Sequence, residues 1–121
     1  ATKSDQESGS LPFGLQACLD MIGAEGYAAV TDMFVRQVAD EVTSLQRMVH
    51  DRLWQDAKNL SHKMMSSTTA MQLHCAEHLS ALYATLKVQI SDGGSDGDVR
   101  RICSIFVTQV QEVIVFLREE S

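Results

Sequence analysis

Proline occurs once in the 121 residues, at Pro12, so nothing beyond the first few positions forces a helix to end. Period-two alternation is missing as well. Val113-Ile114-Val115 is the one strand-like run, and its neighbours keep helical spacing. No apolar run approaches the roughly 18 residues that a membrane span needs, so direct membrane contact is not expected. The formal net charge is −6, which argues against nucleic acid or an anionic lipid surface as partner. Cysteine is sparse, with Cys18, Cys75 and Cys103 lacking CxxC spacing and each embedded in an apolar pattern. They read as buried free thiols of a reducing compartment, which places the chain in the cytoplasm. A glycine-rich phosphate loop and an HExxH motif are both absent.

What remains is helical period almost throughout. Pro12 opens a short helix to about Ile22, with Leu15, Leu19 and Ile22 on one face and Gly23 at its end. A longer helix runs from about Glu25 to Val49, its stripe formed by Tyr27, Val30, Phe34, Val38, Val42, Leu45 and Val49. A third starts near Asp51 and turns Leu53, Ala57, Leu60, Met64 and Thr68 inward. The stripe changes phase at Met71 or Gln72, and Cys75, Leu79, Leu82, Leu86 and Ile90 define the next helix. Residues 91–97, Ser-Asp-Gly-Gly-Ser-Asp-Gly, are the clear loop, after which Asp96 or Asp98 caps a last helix. Its stripe is Val99, Ile102, Phe106, Val110, Val113 and Leu117.

Long amphipathic helices joined by short turns predict an all-α fold, an antiparallel four-helix bundle with a short extra N-terminal helix. Residues 11–121 form this domain, and the polar leader over 1–10 reads as a linker that joins it to a longer protein.

His62 stands out within Leu60-Ser61-His62-Lys63-Met64-Met65-Ser66-Ser67. At about 100° per residue it lies far round the helix from the stripe near Leu60 and Met64, so it points to solvent. Lys58, Met65, Ser66 and Thr69 share its face at helical spacings. An exposed imidazole is a good nucleophile near neutral pH. A neighbouring ammonium, from Lys58 or a swung Lys63, disfavours the imidazolium and attracts an incoming phosphoryl group. Ser66 and Ser67 are small and leave room for a partner surface, while Met65 reads as part of an exposed apolar patch beside the ring.

Two other histidine features are weaker. His74 and His78, four apart, share one face of the fourth predicted helix, a geometry that can hold zinc. Glu77 and Cys75 are near in sequence, but Cys75 faces the core and no third ligand is evident, so no metal ligand is assigned. His50, at a helix end, serves as a C-terminal charge.

The run from His62 to Ser67, followed by Met71, resembles the signature of histidine-containing phosphotransfer (HPt) domains, roughly His-x-Leu-Lys-Gly-Ser-Ser. Such domains are antiparallel four-helix bundles of about this length, with the histidine exposed midway along the second bundle helix. The likeness covers most of the chain in architecture and only a few residues in identity. Met65 stands where the family usually has lysine, Ser66 where it has glycine, and Gln72 where it has a second glycine.

The resemblance implies a phosphocarrier rather than an enzyme. His62 would accept a phosphoryl group from the aspartate of one response-regulator receiver domain and pass it to another. Lys58, Lys63 and Ser66 would support it, and Met65 and Thr69 would meet the partner. The domain would hold no cofactor itself, the Mg2+ belonging to the receiver. It would be a free-standing relay protein or the C-terminal module of a membrane-anchored hybrid sensor kinase. The alternative of a different class is a non-phosphorylated helical interaction module, a degenerate relative that docks a signalling partner.

Overall fold

The computed structural model describes residues 11–120, with Glu120 described by its backbone alone. The linker reading of residues 1–10 therefore lies outside the described residues. Four helices account for nearly all of the rest: α1 (Leu15–His50), α2 (Trp54–Ala70), α3 (Ala76–Asp92) and α4 (Asp96–Glu120). No strand occurs among the described residues. Each helix packs on two others, α1 and α3 both against α2 and α4, so the four close into a ring around one core. Among the described residues no helix is long and apolar enough to cross a membrane.

The chain enters through a strap rather than a helix at Pro12. The Pro12 carbonyl accepts from the Leu15 N–H at 3.0 Å, and the helix begins only at Leu15. Phe13 and Gly14 have φ of 65° and 93°. The Phe13 carbonyl accepts from the His74 N–H at 2.9 Å, and its ring meets Phe116 edge-on at 6.0 Å. Gly14 is required twice over. Its φ is left-handed, and a β-carbon there would collide with the Gln72 carbonyl. Farther along, Gly23 breaks the helical run with φ 80° and ψ 170°, a conformation nearly restricted to glycine.

Two helix ends share one device. The Asp51, Arg52 and Leu53 N–H groups donate to Arg47, Val49 and Met48 carbonyls, closing α1 with Arg52 at φ 61°. The Met71, Gln72 and Leu73 groups donate to Ser67, Thr69 and Thr68 in the same way, with Gln72 at φ 59°. Both carry a 6→1 bond of the kind that usually relies on glycine. This is why α2 starts at Trp54 rather than near Asp51. At the far end Gly93 is left-handed and ends α3, as glycine at that position should. Ser95, rather than Asp96 or Asp98, caps α4: its Oγ accepts from the Asp98 N–H at 3.3 Å. Asp96 instead accepts from Gln89 Nε2 at 2.7 Å and lies 3.1 Å from Arg52 Nε, tying the α3–α4 loop to the α1–α2 turn.

The core joins Phe34, Val38, Val42 and Leu45 of α1 to Leu79, Leu82 and Leu86 of α3 and Val99, Phe106, Val110 and Val113 of α4. The α2 contribution differs from the hydropathy pattern. Its buried residues are Ala57, Ser61, Met64 and Thr68, while Leu60 is half-buried and Leu53 lies exposed before the helix. Ser61 Oγ donates to the Ala57 carbonyl at 2.8 Å and Thr68 Oγ1 to Met64 at 3.2 Å, so both hydroxyls go inside already satisfied. In α3 the inner position near the C-terminus belongs to Gln89, held by Asp96, and Ile90 is exposed.

Candidate functional site

Burial of Ser61 rotates the inner face of α2 by a fraction of a turn, and the site follows from that rotation. With the face centred among Ala57, Ser61, Met64 and Thr68, His62 and Lys63 sit about 130° to either side of it. They therefore leave the helix about 100° apart, one leaning toward each neighbouring helix.

His62 leans toward α3. Its exposed ring lies against the half-buried Tyr83 ring, 5.4 Å between centroids at an interplanar angle of 33°. A tilted contact of this kind supports one face of the imidazole. The Lys87 ammonium, one turn beyond Tyr83, sits 5.3 Å from the centroid of that same phenol ring. The imidazole and the ammonium thus both lie against the Tyr83 ring at the α2–α3 seam.

Lys63 leans toward α1. Its Nζ is 3.4 Å from Glu41 Oε2, the Glu41 side chain being only 10% exposed. Gln37 Nε2 adds a longer contact of 3.5 Å to the same oxygen, and Glu41 Oε1 is buried with no hydrogen-bond partner among the described residues. A carboxylate so placed holds Lys63 as its counter-charge. The expected support of His62 by Lys63 is therefore not formed here; the ammonium is engaged on the other flank.

The remaining sequence candidates divide by position. Lys58, Met65 and Thr69 fall on the His62 side of α2, while Ser66 is outermost. Lys58 is half-buried and makes no ion pair with another described residue. Met65 is half-buried and packed against the core, so it is less of a free apolar patch than its neighbours suggested. Ser66 and Thr69 are exposed. Nothing in the sequence pattern marks Tyr83 and Lys87 as site residues. Their i,i+4 pairing on one helix was readable, but their approach to His62 is a tertiary contact that no spacing encodes.

The other histidines do not assemble. α3 begins at Ala76, so His74 lies in the preceding turn and does not share a helical face with His78. Its backbone N–H is spent on Phe13. Among the described residues no group of three His, Cys, Asp or Glu could hold a metal ion. His50 Nδ1 is 3.0 Å from Asp51 Oδ1 at the end of α1. Two cavities, about 460 Å³ beside Tyr27 and Val35 and about 510 Å³ beside Phe13 and Phe116, do not include His62. His62 itself is exposed on the surface of α2.

No protein-family model, curated protein or solved structure matches the chain, so the site is read from its own geometry.

Proposed function

We propose that this chain is a histidine phosphotransfer domain, an antiparallel four-helix bundle with a short leading helix before Gly23, in which His62 is the phosphoryl acceptor and donor. The short connections between successive helices favour antiparallel neighbours. The observation that carries the reading is the placement of His62: exposed, midway along α2, with its ring backed by Tyr83. The sequence run from His62 to Ser67 adds the family resemblance.

The chemistry needs little from the domain. A receiver domain brings an aspartyl phosphate, its Mg2+ and the acidic residues that hold the ion. The unprotonated imidazole nitrogen attacks phosphorus in line. The N–P bond forms as the P–O bond to the aspartate breaks, and the carboxylate departs with the electron pair. The ring then loses its remaining N–H proton to solvent. The return reaction delivers the phosphoryl group to the aspartate of a second receiver. Positioning and charge neutralisation dominate such transfers, so a rigid helical platform without a catalytic apparatus is sufficient. Lys58, Ser66, Met65 and Thr69 lie where a receiver would approach. The buried cysteines favour a reducing, cytoplasmic setting.

The test is incubation with phosphorylated receiver domains. Acid-labile, alkali-stable label on the wild-type chain and none on His62→Gln is expected. No label from any of several receivers would instead favour the helical interaction module, which docks a partner without carrying phosphate.

A further inference from the structure

We propose that Tyr83 and Lys87 of α3 form the second half of the His62 site, Tyr83 as the platform that orients the imidazole and Lys87 as the cation that neutralises the phosphoryl group it carries. This rests on the phosphotransfer reading above and assigns two residues, on a different helix, that the sequence motif does not contain.

Charge makes the argument. A phosphoryl group on the imidazole brings close to two negative charges to an exposed surface of a chain that is already acidic. A cation beside the ring is therefore needed. Lys63 is committed to Glu41 on the opposite flank, and drawing it away would leave a buried carboxylate uncompensated. Met65, half-buried against the core, offers no charge. Lys87 is exposed, forms no ion pair with a described residue, and rests its ammonium on the ring that His62 also touches. Its contact with the phenol face is weak and easily exchanged for charge-assisted N–H···O bonds to phosphoryl oxygens, within reach of a flexible four-carbon stem.

Tyr83 acts through the ring of His62. The face contact restricts the rotation of the imidazole, and a ring held in one orientation favours in-line attack. Only the ring is needed for this, so the phenol hydroxyl is dispensable and the aromatic face is not.

The experiment measures the rate of His62 labelling from a phosphorylated receiver domain and from phosphoramidate, a small phosphodonor, together with the lifetime of the phosphohistidine. Lys87→Gln is expected to lower labelling by about tenfold or more with both donors, the effect of removing one well-placed charge stabiliser. Lys87→Arg restores it. Arg101→Gln, an exposed cation on α4, which does not pack against α2, stays within about twofold. Tyr83→Phe labels like wild type, whereas Tyr83→Leu, which keeps apolar bulk and folding, is slowed. Circular-dichroism melts confirm that each variant is folded. Wild-type rates in folded Lys87→Gln or Tyr83→Leu would overturn the inference while leaving the phosphotransfer reading intact. A wild-type chain that takes no label from either donor would overturn both.

Discussion

Lys63 of α2 stands 3.4 Å from the carboxylate of Glu41 of α1, and that pairing settles which way the residue beside His62 faces. Glu41 is nearly enclosed, with one oxygen lacking a partner among the described residues, whereas Lys63 is mostly exposed. The two ends of the bridge should therefore respond differently to mutation. Lys63→Gln leaves a buried carboxylate without its counter-charge and is expected to cost about 1–2 kcal/mol, well below the figure for a fully buried pair because solvent reaches Lys63. Glu41→Gln removes the charge that needed compensation and should be near neutral. Urea unfolding midpoints of the two variants check the asymmetry, and a larger loss from Glu41→Gln would reverse the assignment.

Gly14 and Gly23 both have positive φ, but only one of them is crowded. At Gly23 a β-carbon has open space, so Gly23→Ala meets backbone strain alone, about 1 kcal/mol, partly relieved if the helix straightens. At Gly14 the same substitution adds a collision with the Gln72 carbonyl and should cost about 3 kcal/mol or more. Thermal melts of the two alanine variants should separate by at least several degrees.

These positions show what the sequence disclosed and what it hid. One proline and sustained three- and four-residue spacings were enough to find the helices and the joint near Met71. The end of α1 was harder, because Arg52 adopts a left-handed conformation that glycine would normally announce. The buried faces were blurred by Ser61, Gln89 and Glu41, each polar and each taken inside by a partner: a preceding carbonyl, Asp96 or Lys63. The shift at Ser61 also decided the site. It turned Lys63 toward α1 and His62 toward Tyr83, a residue 21 positions away whose role has no local signature.

Burial pushes the Cys75 and Cys103 thiols up to about 11, against an ordinary value of 9.0. For a group whose folded value is raised, the contribution to stability is fully present below pH 9 and is lost as pH rises toward 11. Wild-type stability should therefore fall over that window more steeply than that of a Cys75→Ala/Cys103→Ala variant, as read from urea midpoints at pH 8, 9, 10 and 11. In the native state at pH 8 both thiols should resist an aromatic disulfide reagent and react only on unfolding.

Asp96 holds Gln89 and Arg52 together at the end of the bundle. Asp96→Ala should destabilise by about 1 kcal/mol, chiefly by leaving the Gln89 amide without its acceptor. The coupling of Asp96 to the exposed Arg52 in a double-mutant cycle should be smaller, below about 0.5 kcal/mol. A coupling above that to Arg52 would mean that the ion pair, not the amide, anchors the loop.

The central claim is that His62 carries phosphate between receiver domains, and a two-receiver relay tests it most directly. One receiver is phosphorylated on its aspartate with labelled phosphate and freed of donor, then mixed with a second, unlabelled receiver in the presence of this chain and Mg2+. The account predicts label on His62 first and on the second receiver afterwards, with neither step in His62→Gln. Label that reaches the second receiver equally well with His62→Gln, or that never leaves the first, would contradict it.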